Sequence, residues 1–257
     1  MTTTTSTILV TGGTGTLGRL VTERLRGDGH QVRVLSRRTQ PYAVDLRKGG
    51  RVLDAAMDGV DTVVHCASTP TGGDEKAARV LVDAARRAGV GHLVYISIVG
   101  VDRVPLPYYR TKLAVERIVE ESGLGWTILR TTQFHDLVVQ ILETLAKVPL
   151  MPVPAGISDQ PIDVAEVADR LRELATGGPA GRVPDMGGPE IRTFNDLTRT
   201  YLTTTGRRRT LLPVRLPGKT FAAFREGGHL TPERAVGRTS FEDFLANRPG
   251  FRPRKPA

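Results

Sequence analysis

A single cysteine, Cys66, is all the thiol chemistry in these 257 residues. One cysteine forms neither an internal disulfide nor a multi-cysteine metal site, so we expect no metal and a fold held by its core alone. That demand is modest, because chains of this size bury about 70–75% of their unfolded surface. No apolar run is long enough to span a bilayer, and Met1 to Thr7 lacks the charged and apolar regions of a secretion signal. The expectation is a cytoplasmic chain with a disordered polar leader over residues 1–6 and no membrane partner. Acids are in the minority: 27 Asp and Glu against 36 Lys and Arg leave a net charge of +9. Such a balance can serve nucleic acid. Here arginine greatly outnumbers lysine and is scattered, with local concentrations only at Arg207-Arg208-Arg209 and at Arg252, Arg254 and Lys255. No recognition motif accompanies the charge, so we expect no nucleic-acid partner. Internal repeats and low-complexity tracts are missing as well.

What is present is concentrated between Ile8 and Arg38. Ile8-Leu9-Val10 is a short apolar run, and Thr11-Gly12-Gly13-Thr14-Gly15-Thr16-Leu17-Gly18 follows it. A helical run then extends to Gly27, with Leu17, Leu20, Val21 and Leu25 on one face, and Gln31 to Leu35 forms a second alternating run. Together they make one βαβ unit. Glycines at 12, 15 and 18 permit a tight turn, let a pyrophosphate approach the backbone, and let the helix sit close to the strand. The helix N-terminus adds unpaired N–H groups and a positive dipole end. The stretch therefore predicts a dinucleotide site made by Gly12, Gly13, Thr14, Gly15, Thr16, Leu17 and Gly18. Arg37 and Arg38 stand just past the second strand. No acid is there to hold ribose hydroxyls, whereas guanidinium suits a 2′-phosphate, so the expected cofactor is NADP(H).

Further along, strand and helix alternate. Val44-Asp45-Leu46 reads as a third strand, 52–57 as a helix, 61–67 as a buried strand and 74–88 as a helix stopped by Gly89. Strand 92–97, helix 108–122, strand 126–130 and helix 136–146 follow. This pattern predicts an α/β fold, a Rossmann-type doubly wound parallel sheet of order 3-2-1-4-5-6, with room for one more strand. After 147 the pattern loosens. Pro149, Pro152 and Pro154 bracket a loop, and capped helices are expected at 164–175, from Thr193 through Tyr201, and at 241–246. We divide the chain into a NAD(P)-binding core at 7–150 and a mixed region at 151–257 that completes the core and forms a small substrate lobe.

The wording TGGTGTLG resembles the fingerprint of the short-chain dehydrogenase/reductase superfamily, most closely its extended and atypical branches and their NmrA-like NAD(P)H-binding members. Tyr108-Tyr109-Arg110-Thr111-Lys112 is similar to that family's Tyr-x-x-x-Lys motif and falls where it should, after the fifth strand. The resemblance implies that Lys112 holds the nicotinamide ribose and depresses the tyrosine pKa, and that Tyr108 moves a proton at the substrate oxygen. It implies Ser97 as the third catalytic member, although Ile98 and Val99 stand where relatives often carry further hydroxyls. It also implies Asp45 beside the adenine, Ala67 and Ser68 along the adenine ribose, and Gln133 and Phe134 near the nicotinamide or substrate. His65 reads as a core histidine, and His135 as a loop or helix-capping residue.

The function this implies is an NADPH-dependent oxidoreductase reducing a small carbonyl, quinone or enone. The alternatives are a non-catalytic NADP-binding sensor that contacts a regulatory protein, and an isomerase or epimerase that uses its cofactor transiently. A small-molecule substrate is the expected partner, with self-association open.

Overall fold

The structure is a computed structural model that describes residues 5–69 and 72–248. Most of the polar leader, Pro70 and Thr71 of the loop before the 74–88 helix, and the basic tail lie outside the described residues.

The first elements are β1 (Thr7–Thr11), α1 (Thr16–Gly27), β2 (Gln31–Leu35), α2 (Arg51–Met57), β3 (Thr62–His65) and α3 (Asp74–Arg87). There follow β4 (His92–Ile98), α4 (Pro107–Glu120), β5 (Gly125–Thr131), α5 (His135–Leu145), β6 (Leu150–Pro154) and β7 (Ser158–Asp159). The chain continues through α6 (Val164–Thr176), β8 (Gly181–Arg182), β9 (Arg192–Thr193), α7 (Phe194–Thr205), β10 (Thr210–Val214), α8 (Lys219–Arg225) and α9 (Phe241–Asn247).

By contacts the chain forms two compact units that interleave along the sequence. One comprises Met1–Ser97, Pro107–Arg130 and Ala165–Pro184; the other comprises Ile98–Leu106, Thr131–Val164 and Asp185–Ala257.

The first unit holds a six-stranded parallel sheet of order β2-β1-β3-β4-β5-β8, flanked by helices. Every residue of β3 is buried, as a central strand covered on both faces requires. Leu17, Val21 and Leu25 line the buried side of α1 at four-residue spacing. Leu81 and Ala85 of α3, Val115 and Val119 of α4, and Leu93 and Tyr95 of β4 close one core on the sheet. The strand order follows the expectation with one exception. Val44 to Leu46 is not a strand; only Ser36 and Ala43 bridge. The Asp45 carboxylate accepts the Arg47 N–H at 3.1 Å, and the Asp45 carbonyl accepts the Lys48 N–H at 2.9 Å. That local turn takes the backbone away from the sheet ladder.

The second unit packs Val138 and Leu142 of α5, Met151 and Val153 of β6, Leu197 and Tyr201 of α7, and Phe241 and Leu245 of α9 into its own core. Where a proline-bracketed loop was expected, β6 pairs in parallel with β10. Buried Met151 and Val153 alternate with Pro152 and Pro154, and a two-stranded ladder tolerates prolines that a central strand would not. Thr193 and Ser240 cap α7 and α9, each accepting an N–H from the aspartate three residues on.

Candidate functional site

The turn between β1 and α1 is shaped by what its glycines face. Gly12 has φ +65°, and a Cβ there would meet the Ala67 backbone at 2.8 Å. A Cβ on Gly18 would run into the Gly12 carbonyl, so the helix lies directly against the turn. Gly15 differs: an added Cβ would meet only the Gly12 carbonyl oxygen, at 3.3 Å. Its open side belongs to a cleft, and no acid stands in the first turn of α1 to oppose an anion there.

That cleft has a volume of about 310 Å³. It brings together the expected residues Gly12, Thr14, Gly15, Arg37, Asp45, Ala67 and Ser68. Gly13, Thr16, Leu17, Gly18 and Arg38 are not among its lining residues. Leu17 is buried in the core, and a Cβ on Gly13 would meet Val34. Of the two arginines, Arg37 faces the cleft, while the Arg38 N–H is held by the Ser36 hydroxyl at 3.2 Å.

Arg47 and Asp74 were missed by sequence reasoning. Arg47 donates to both Asp45 oxygens, at 2.7 Å from Nη2 and 3.0 Å from Nε, and these bonds hold the Asp45 pKa down at about 2. Asp74, 5% exposed, accepts the Ser68 hydroxyl at 2.6 Å and the Thr69 N–H at 3.0 Å. An arginine two residues beyond Asp45 was the available signal for the first. Nothing local marks the second, which reads as an ordinary acid at a helix start.

Across the same unit, α4 places Tyr108 and Lys112 one turn apart, but each has its own partner. The Tyr108 hydroxyl lies 2.9 Å from Ser68 Oγ. The Lys112 ammonium, 4% exposed, donates to the Ile96 carbonyl at 2.8 Å and sits 4.5 Å from the centre of the Tyr95 ring. Burial brings the Lys112 pKa down to about 8, against the pull of Asp74 and other neighbouring acids. The Tyr108 pKa moves up, not down as expected: burial raises it, the Ser68 hydrogen bond opposes, and the Asp74 charge adds to the rise. Ser97 follows Tyr95 by two residues on β4, so both point to one face of the sheet. Its Oγ is buried and has no hydrogen-bond partner among the described residues. Tyr109 is buried, as its position about 100° around the helix from Tyr108 demands.

Other polar groups serve the fold. Glu116 and Arg130 form a buried pair with two bonds, 2.8 and 2.6 Å. His65 bonds the Thr11 hydroxyl at 2.7 Å and stacks on Tyr95; burial drives its pKa down to about 3, which keeps it neutral. Burial pushes the Cys66 thiol up to about 12, so it is no nucleophile. In the second unit, the Ile162 N–H donates to the Gln133 carbonyl and the His135 N–H to the Ile162 carbonyl, which bridges Phe134 to Ile162, and His135 stacks on Phe244 at 4.9 Å.

A model of an NAD(P)H-binding family matches residues 12–175, which takes in the glycine turn, the cleft and α4. The chain belongs to that NAD(P)H-binding family. Its glycine and Tyr-x-x-x-Lys motifs resemble those of the short-chain dehydrogenase/reductase superfamily. Among curated relatives, (4-alkanoyl-5-oxo-2,5-dihydrofuran-3-yl)methyl phosphate reductase of Streptomyces griseus is 32% identical over 78% of this chain and 74% of its own. A photosystem II assembly factor of Cyanophora paradoxa is 29% identical, over 49% of this chain and 45% of its own. Among solved structures, the NADPH-dependent quinone oxidoreductase of Escherichia coli, complexed with NADPH, superposes with a TM-score of 0.75 at 18% identity. That match covers 93% of this chain and 98% of the other, and it is a likeness of fold.

The residues fit an NAD(P)H cofactor. Gly15 leaves the backbone open toward the cleft, Arg37 stands ready for an anion, and the acids that line the cleft are already bonded to Arg47, Ser68 and Thr69. Among the described residues no helix is long and apolar enough to cross a membrane.

Proposed function

We propose that this NAD(P)H-binding protein is an NADPH-dependent reductase of a small carbonyl, quinone or enone. The observation that carries the reading is Ser97. A buried hydroxyl without a partner costs about 1–3 kcal/mol, and it lies on the sheet face that also carries Tyr95, beneath the Lys112 ammonium. A hydroxyl with no partner among the described residues can donate to an oxygen brought in by a ligand.

In this reading the glycine turn and the N-terminus of α1 hold the pyrophosphate, Arg37 the 2′-phosphate, and Lys112 the nicotinamide ribose. Bound NADPH supplies a hydride to an electrophilic carbon. Ser97 donates to the acceptor oxygen. Tyr108 then gives its phenolic proton to that oxygen and recovers a proton from water. With its pKa raised, Tyr108 carries its proton at neutral pH and gives it up only as negative charge develops on the acceptor oxygen. The reductase relative and the NADPH-bound structural neighbour support this direction of reaction.

The test is an NADPH-oxidation screen against quinones, aldehydes and enones, beside binding titrations with NADP⁺ and NAD⁺. Turnover of one acceptor class with tighter NADP⁺ binding is the expected result. Tight binding with no turnover would favour a second reading, an NADP(H)-binding regulator, which the assembly-factor relative supports.

A further inference from the structure

The Tyr108 hydroxyl does not stand alone: Tyr108, Ser68 and Asp74 form one chain of hydrogen bonds within the first unit. Its direction follows from counting protons. The Asp74 carboxylate has only lone pairs to offer, and 2.6 Å is the length of a charge-assisted O–H···O⁻ bond. Ser68 has one proton, and that bond takes it. Across the 2.9 Å to Tyr108, Ser68 is left with lone pairs, so the phenol is the donor. A phenolate at that place would be bonded only if Ser68 turned its proton away from Asp74, and it would face that carboxylate behind Ser68.

We propose that Ser68 and Asp74 are positioning residues that keep Tyr108 protonated and fix where its hydroxyl points at rest. The inference rests on the reductase reading for its use, but not for its chemistry. The other titratable groups around Tyr108 leave this direction intact. Tyr95 on β4 is a neutral phenol whose own pKa is raised by burial, and Lys112, one turn along α4, has its ammonium on the Ile96 carbonyl. In reduction the Tyr108 O–H turns from Ser68 to the acceptor oxygen, its O–H bond breaks and the proton goes to that oxygen.

Asp74→Asn tests the chain. The amide keeps an oxygen for the Thr69 N–H and can donate to Ser68, which frees the Ser68 proton for Tyr108. The full 257-residue chain holds five tyrosines, so the Tyr108 titration is isolated as the ultraviolet phenolate difference between each protein and its Tyr108→Phe counterpart. The expected result is a Tyr108 midpoint lower by about one unit or more in Asp74→Asn. Identical midpoints would overturn the proposal. A shifted midpoint in a protein that reduces no acceptor would support the chain and reject the reductase reading, so the two failures are distinct. Should Asp74→Asn fail to fold, Ser68→Ala leaves the Asp74 bond to Thr69 in place. Its loss of kcat should vanish in a Tyr108→Phe background, and an equal loss in both backgrounds would overturn the proposal.

Discussion

The β1–α1 turn offers backbone to the cleft, whereas the start of α4, which does not line that cleft, offers side chains. The turn works by what is missing: Gly15 has no Cβ in the cleft, Gly18 has none against Gly12, and α1 has no acid in its first turn. The α4 region works by what is there: a phenol, an ammonium and a hydroxyl, each with a different surrounding and a different proton affinity. A backbone site tolerates almost no added atoms but has no titration to tune. A side-chain site can be tuned by its neighbours, and here Asp74 and burial have tuned Tyr108 upward and burial has brought Lys112 downward.

The largest expected effect breaks the backbone side of this contrast. In Gly15→Val the Cβ meets one tight neighbour, the Gly12 carbonyl oxygen at 3.3 Å, and its branches would stand where the pyrophosphate approaches. We expect no measurable binding of NADPH or NADH by calorimetry, with a thermal midpoint close to wild type. A variant that folds and binds NADPH normally would remove the turn from the site.

On the side-chain side, Tyr108→Phe should lower kcat by about 10²–10⁴-fold and leave NADPH affinity nearly intact, since general acid catalysis is worth about that much. Steady-state kinetics on an acceptor found in the screen, with NADPH titrations alongside, will read it. Unchanged turnover would reduce Tyr108 to a packing residue.

Arg37→Ala sharpens the comparison, because Arg37 is a side chain serving the backbone's half of the site. Losing a charge-assisted phosphate contact costs about 1.5–3 kcal/mol, or about 10–150-fold in Kd, for NADP(H) alone. Arg38→Ala, at a residue that does not line the cleft, should change little. Equal losses for NADP⁺ and NAD⁺ in Arg37→Ala would dissociate it from the 2′-phosphate.

The remaining effect is in stability rather than in binding or turnover, and its sign is opposite to that of a lost contact. The Lys112 pKa is about 8 folded against 10.5 for an ordinary lysine. Below pH 8 both states carry the proton, and burying the charge is a burden of about 3 kcal/mol. Between pH 8 and 10.5 the unfolded chain binds more protons than the folded one, so stability rises with pH. Lys112→Met should therefore be more stable than wild type at pH 7, by a margin that narrows toward pH 10, while binding NADPH less tightly. Thermal melts of both proteins across that range will show whether the gap closes.

The amino-acid sequence by itself determined the strand–turn–helix at 8–27, the alternation that builds the sheet, and the shared helix face of Tyr108 and Lys112. Each of these rests on neighbours a few residues apart: a period of 3.6 or 2, or a backbone conformation that only glycine adopts. Tertiary structure decided the rest. The strand expected at Val44 to Leu46 is instead replaced by a local turn, in which the Asp45 carboxylate and carbonyl bind the adjacent backbone. Tertiary structure made Arg47 part of the cleft, and it separated Tyr108 from Lys112 by giving each its own partner. It joined Tyr108 to Ser68, forty residues earlier in the chain, and through it to Asp74. No local pattern announces such a contact. The direction of a proton depends on which oxygen already holds one, and that is settled only when distant segments are packed together.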